Sequence, residues 1–209
     1  MIVPATPVVF VVDDDASVRR ALARLLRSEG LEVETFPSAE ALLEWTPPAR
    51  PVCVVCDLRL PGPSGLDLQA RLVEAHPAVA IVFITGHGNV PASVQAMKRG
   101  AVDFLEKPVD ADQLLACVRH ALGRSQQARA DRAARLAIEQ RIETLTPRER
   151  EVLGLVVKGL LNKQIAERLG AAEKTVKIHR GRMMEKMQAR SLADLVRMSE
   201  HAALRQARP

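Results

Sequence analysis

The stretch VCVVCDLRLPGPSG, residues 52–65, decides the fold. Its first five residues, Val52 to Cys56, are apolar without a break, as in a strand buried in a core. Asp57 stands at the end of that run, and a loop rich in Pro and Gly follows. A carboxylate at the lip of a core needs a purpose, and the rest of the chain supplies one.

Working outward, residues 8–12, 31–35, 80–84 and 102–106 also read as strands. Between them lie helical patterns. Val18, Ala21, Leu22, Leu25 and Leu26 recur at the spacing of one helix face, and Gly30 is placed to end that helix. Residues 38–45, 65–75 and 91–99 read as further helices, the last stopped by Gly100, and another begins at Ala111. Five alternating β-α units argue for a doubly wound parallel sheet. Asp13, Asp14 and Asp15 follow the first strand, Asp57 the third, Thr85 the fourth and Lys107 the fifth. All lie at strand C-terminal ends, the edge where open α/β sheets bind ligands. With strand order 2-1-3-4-5, the acids after strands 1 and 3 converge. Converging carboxylates repel unless a positive charge sits among them. Mg²⁺ suits such oxygen ligands, and Lys107 adds a second positive charge. Acids, metal, lysine and the Thr85 hydroxyl make a phosphoryl-transfer site, with Asp57 as nucleophile.

The segments VVDDD, CDLRLPGPSG, FITGHG and VDFLEKP resemble the receiver domain of bacterial two-component response regulators over about residues 7–122. The resemblance implies a flavodoxin-like fold and a partner histidine kinase. It implies Asp13 and Asp14 as the acidic Mg²⁺ pair, Asp57 as phosphoacceptor and metal ligand, and the Arg59 backbone carbonyl as a further ligand. Thr85 and Lys107 would bind phosphoryl oxygens, and Phe104 would be the aromatic switch. Lys107–Pro108 would be a cis peptide. Asp15 receives no metal role. His87, two residues past Thr85, would influence hydrolysis of the acyl phosphate.

Charge divides the chain. Residues 1–122 carry a net −4 and residues 123–209 a net +9. An acidic domain joined to a basic one directs the second half toward nucleic acid. Residues 123–145 are rich in Ala, Arg and Gln without Pro, and read as helix continuing from Ala111. Unbroken to residue 143 it would span roughly 50 Å, although Gly123 is a possible break. Ala134, Ile138, Ile142 and Leu145 form a narrow stripe, suited to packing on a neighbour or to a short coiled-coil seam. From Thr146 four short helices follow, the first with an N-cap Thr and Pro147 behind it. The organisation is therefore 1–122, a helical linker at 123–145, and an all-α domain at 146–209.

The third of those helices carries Val176, Met183 and Met187 on one side and cations mostly elsewhere, Lys174, Lys177, Arg182 and Lys186 among them. Such a helix can pack inward and enter a major groove outward. Residues 145–198 resemble the LuxR-type helix-turn-helix. Together the halves resemble NarL/FixJ-type regulators, nearer to FixJ and to its relatives that control aromatic-compound catabolism. The resemblance makes 172–187 the recognition helix, with Lys177 and Ile178 at base edges and Gly181 one turn on. Lys174, Thr175, Arg182 and Arg190 complete the expected contacts with double-stranded promoter DNA. Expected partners also include a second copy of the chain after phosphorylation, and RNA polymerase. His179 is expected to pack or to meet phosphate.

Other classes fit less well. A phosphatase of the haloacid dehalogenase type needs an acid two residues after its nucleophile, and that position is Arg59, which cannot donate a proton. A LuxR-type autoinducer sensor needs an apolar pocket lined with aromatics, and this chain has no Tyr, one Trp and four Phe. A turnover enzyme is not expected. Cys53 and Cys56 form a C-x-x-C, but in a strand residues three apart face opposite ways. Both read as small buried hydrophobes. No apolar run is long enough to span a membrane, and the first residues lack a basic n-region, so a cytoplasmic protein is expected.

Overall fold

The computed structural model describes residues 6–46, 48–86 and 90–203. The chain divides into two compact units, Met1–Ala130 and Asp131–Pro209.

The first unit is a parallel sheet of β1 (Val8–Val12), β2 (Glu32–Phe36), β3 (Val52–Asp57), β4 (Ala80–Thr85) and β5 (Asp103–Glu106), in the order β2-β1-β3-β4-β5. Helices α1 (Ala16–Ser28), α2 (Ala39–Leu43), α3 (Gly65–Ala75), α4 (Val90–Lys98) and α5 (Ala111–Glu143) follow the strands in turn. β1, β3 and β4 are buried at every position. Alternation sorts their side chains onto two faces. Val9, Val11, Cys53, Val55, Val82 and Ile84 pack with α1 and α5. Phe10, Val54, Cys56, Ile81 and Phe83 pack on the other side, with α2, α3 and α4. Cys53 and Cys56 thus lie in different cores, as free thiols. Burial raises both thiols far above their ordinary range, leaving them inert as nucleophiles. Each large apolar side chain so enclosed contributes about 1.5–3 kcal/mol relative to exposure.

Helix ends follow local chemistry. Asp15 caps α1, its Oδ1 accepting from Ser17 N at 2.7 Å. Ser64 and Asp67 cap α3 reciprocally. Gly30 and Gly100 adopt φ of +77° and +90°, a conformation open to glycine where α1 and α4 must stop. Helix α5 runs unbroken through Gly123. At Ser125 its hydroxyl donates to the Ala78 carbonyl at 2.6 Å and accepts from Val52 N at 2.9 Å.

The second unit holds the end of α5 and helices α6 (Pro147–Val156), α7 (Asn162–Leu169), α8 (Glu173–Met187) and α9 (Leu192–Ala203). Its core includes Val152, Val156, Ile165, Val176, Met183, Met187 and Leu195. Ile138 and Leu145 are buried in this same core and Ile142 packs against it. The linker stripe therefore covers its own unit. Ala134, at the head of that stripe, is exposed. The four C-terminal helices form as the spacing predicts, but α9 extends to Ala203, five residues beyond its expected end.

Candidate functional site

At the C-terminal edge of the sheet, β1 delivers Asp13 and Asp14 and β3 delivers Asp57. These strands are neighbours in register, Val12 opposite Cys56. Carboxylate oxygens of Asp13, Asp14 and Asp57 all lie within 4.8 Å of one another. Asp13 and Asp57 are buried and Asp14 is exposed. From the end of β5, Lys107 Nζ reaches Asp13 Oδ2 at 2.7 Å and also donates to Asp57 Oδ2. The Lys107–Pro108 peptide is cis, and Lys107 N donates to the Thr85 carbonyl at 2.7 Å.

Burial pushes the Asp13 carboxyl above its ordinary range, against the lowering pull of Lys107 and the Asp15 backbone N–H. Burial works to lower Lys107 too, but its hydrogen bonds to Asp13 and Asp57 prevail and hold the ammonium above its ordinary range. Ionised, three carboxylates and one ammonium leave two negative charges. That balance and the all-oxygen donor set fit a hard divalent cation such as Mg²⁺.

The site depends on a close approach of α3. A Cβ on Gly65 would stand 2.5 Å from the Asp57 carbonyl oxygen and 3.0 Å from the Phe83 ring. Only glycine lets α3 start there. Arg59 N donates to Asp57 Oδ1 at 2.9 Å, holding one carboxylate oxygen in place. Thr85, at the end of β4, is buried. Phe104 is half-buried in β5, its ring 6.4 Å from Phe83. Asp15, the third acid, is spent on the α1 cap, where hydrogen bonds from Ser17 hold its carboxyl below the usual range. The sequence signal was the Asp-x-Ser spacing. His87 lies outside the described residues.

In the second unit, Lys174, Thr175, Lys177, Ile178, Gly181 and Arg182 are all exposed on α8, and Arg190 is exposed just past it. Ile178 is 47% exposed. Arg180 turns the other way, donating to Asn162 Oδ1 at 2.9 Å and so tying α8 to α7. Lys186 departs from expectation. It is drawn to the buried Glu149 at 2.7 Å and belongs to the α6–α8 junction rather than to the cationic surface. His179 is half-buried, with Nδ1 enclosed and unbonded, as in packing.

Residues 9–119 match the response regulator receiver domain family. Residues 143–199 match the bacterial regulatory proteins of the luxR family. Nodulation protein W of Bradyrhizobium diazoefficiens is 52% identical over 92% of this chain and 85% of its own. Transcriptional regulatory protein FixJ of Azorhizobium caulinodans is 46% identical over 94% of this chain and 93% of its own. The chain belongs to the NarL/FixJ-type two-component response regulators. The low-resolution structure of the response regulator StyR superposes on this regulator with a TM-score of 0.81, at 48% identity, covering 94% of this chain and 99% of that one. The regulator joins a receiver domain to a LuxR-type DNA-binding domain, and its family comprises transcription regulators rather than turnover enzymes. Among the described residues no helix is long and apolar enough to cross a membrane.

Proposed function

We propose that this response regulator is switched by phosphorylation of Asp57 by a partner histidine kinase, and that the phosphorylated chain dimerises and binds promoter DNA. The observation that carries the reading is Lys107 bridging Asp13 and Asp57 within a cluster of three carboxylates. Asp13, Asp14 and Asp57, with the Arg59 backbone carbonyl, would hold Mg²⁺. The bound cation supplies positive charge that offsets repulsion between the carboxylates and an incoming phosphoryl group.

The chain's own groups do the rest. Hydrogen bonding from Arg59 N fixes one Asp57 oxygen, leaving the other to attack phosphorus. As the O–P bond forms, the P–N bond to the kinase histidine breaks and the imidazole keeps the electron pair and gains a proton. Phosphorylation adds about −1.5 to −2 charges. Lys107 moves from Asp57 to the new phosphoryl oxygens, and the Thr85 hydroxyl donates to another. Phe104 then turns inward toward the space Thr85 leaves. On α4, Val90, Val94 and Met97 are exposed at successive turns, which supports a second copy of this chain as the occupant of that face.

We read residues 1–122 as receiver, 123–145 as helical connector and 146–209 as the DNA-binding domain. Lys174, Thr175, Lys177, Ile178, Gly181, Arg182 and Arg190 would meet promoter DNA, and RNA polymerase is the further partner of an assembly working in the cytoplasm.

The test is beryllofluoride with Mg²⁺, a mimic of the phosphoryl group. It should raise the dimer fraction and DNA affinity of the parent and do nothing to Asp57→Asn, which keeps the shape of the side chain without its nucleophilic carboxylate. An Asn variant that still takes up one phosphoryl group per chain at the parent rate rejects Asp57 as acceptor.

A further inference from the structure

Between α2, α3 and the sheet lies a cavity of about 110 Å³. It borders Val52 and Val54 of β3, toward the end of that strand opposite Asp57. Phe10 of β1, Leu42 of α2, Trp45 just beyond α2 and Leu72 of α3 form much of its wall. Trp45 packs edge-on against Phe10, ring centroids 4.2 Å apart at 75°, and Phe10 meets Phe36 at 5.4 Å and 88°. Three of the five aromatic side chains in the chain therefore gather at this place.

Protein interiors are close-packed, and an empty space lined by apolar groups forfeits the contacts that its lining could make. A dry cavity of about 150 Å³ holds a benzene ring; this space is smaller but borders the exposed Arg71 and Ala75, so a single ring is the most it would take. The polar part of the lining is selective. Arg71, exposed, and His76, half-buried at the end of α3, both border the space. Asp67, a turn earlier on the same helix, lies near enough to register the charge of Arg71. The planar guanidinium is matched in shape and charge to a carboxylate.

We propose that this cavity binds a small aromatic carboxylate, with the ring against Phe10 and Trp45 and the carboxylate on Arg71. The site is separate from the acidic cluster and does not depend on the phosphorylation reading.

Trp45 is the sole tryptophan, so its emission reports occupancy directly. The full-length chain is titrated with benzoate, with benzyl alcohol and with acetate. Benzoate should change the emission saturably. Benzyl alcohol should bind at least about tenfold more weakly, since it lacks the charge that strengthens a hydrogen bond to Arg71, and acetate should not saturate. Arg71→Met should weaken benzoate by a similar factor and affect benzyl alcohol far less. Ala75→Phe places a ring in the cavity and should abolish the response. Its fold is checked by an unchanged far-UV circular dichroism spectrum and a retained cooperative unfolding transition. As a second readout, benzoate should raise the melting temperature of the parent, because a ligand held only by the folded state stabilises it. The proposal is overturned by absence of saturation in the parent, by equal affinity for benzoate and benzyl alcohol, or by an Arg71→Met variant that binds benzoate as the parent does.

Discussion

Glu149, buried in the first turn of α6, accepts a hydrogen bond from Lys186 Nζ at 2.7 Å, near the end of α8. The same carboxylate accepts from Thr146 N at 2.9 Å. It therefore joins the cap of one helix to the helix expected to read DNA. Lys186, first, and the Thr146 backbone N–H hold the Glu149 carboxyl below the usual carboxylate range. A depressed folded-state pKa contributes stability that is present above the ordinary value of 4.5 and lost as pH falls through the lower folded value. The urea midpoint of the parent should exceed that of Glu149→Gln at neutral pH, and the gap should close below about pH 4.5. A gap that stays constant across that range would mean that the carboxylate charge plays no part.

Gly65 is predicted to be intolerant of even one methyl group. Its Cβ would press on the Asp57 carbonyl oxygen at 2.5 Å and on Phe83 and Leu58 at 3.0 and 3.1 Å. Backbone cannot yield as a flexible side-chain tip does, so α3 or the end of β3 must move. Gly65→Ala should lower stability by about 1–3 kcal/mol and slow phosphoryl uptake, because the displaced group carries Asp57. Denaturant unfolding together with phosphorylation rates checks both. Normal uptake with normal stability would show that α3 has room to shift.

Leu161 and Ala172 are the N-cap residues of α7 and α8, and neither offers a side-chain cap. Both have the extended backbone of an N-cap position. At α7, Gln164 Oε1 accepts from Leu161 N at 2.8 Å, which is half of a reciprocal cap. Leu161 is 68% exposed, so little burial is lost on replacing it. Leu161→Ser and Ala172→Ser should each add about 1 kcal/mol of stability. Thermal melts of the two variants test this, and an unchanged midpoint in both would reject it.

Lys177 and Arg190 are predicted to act differently on DNA. Lys177→Ala should cost about 1–3 kcal/mol at the specific site by removing a base-edge donor. Arg190→Ala should weaken all sequences alike and flatten the salt dependence, as loss of a phosphate contact does. Titrations of specific and nonspecific duplexes at several salt concentrations separate the two. An unchanged affinity ratio in Lys177→Ala would reject its assignment to base edges.

The sequence by itself determined the sheet, the helices and which end of the strands carries the acids. Those follow from local periodicity: unbroken apolar runs for β1, β3 and β4, a 3.6-residue spacing for α1, and Gly at Gly30 and Gly100 where helices stop. Asp13, Asp14, Asp57, Thr85 and Lys107 were legible as one edge because each follows a strand, and parallel strands share a direction. What tertiary structure alone decided was pairing across the chain. Lys107 reaches both Asp13 and Asp57, 94 and 50 residues away, a distance in sequence that periodicity does not span. Lys186 carries the same charge as Lys177, yet one is folded against Glu149 and the other faces solvent. The stripe of Ile138 and Leu145 suits a packed helix and leaves a coiled-coil seam open until Val152 and Ile165 are seen beside it in one core. A residue's own neighbours in sequence set its secondary structure and its face, but the partner of that face is set by the packing of the whole unit.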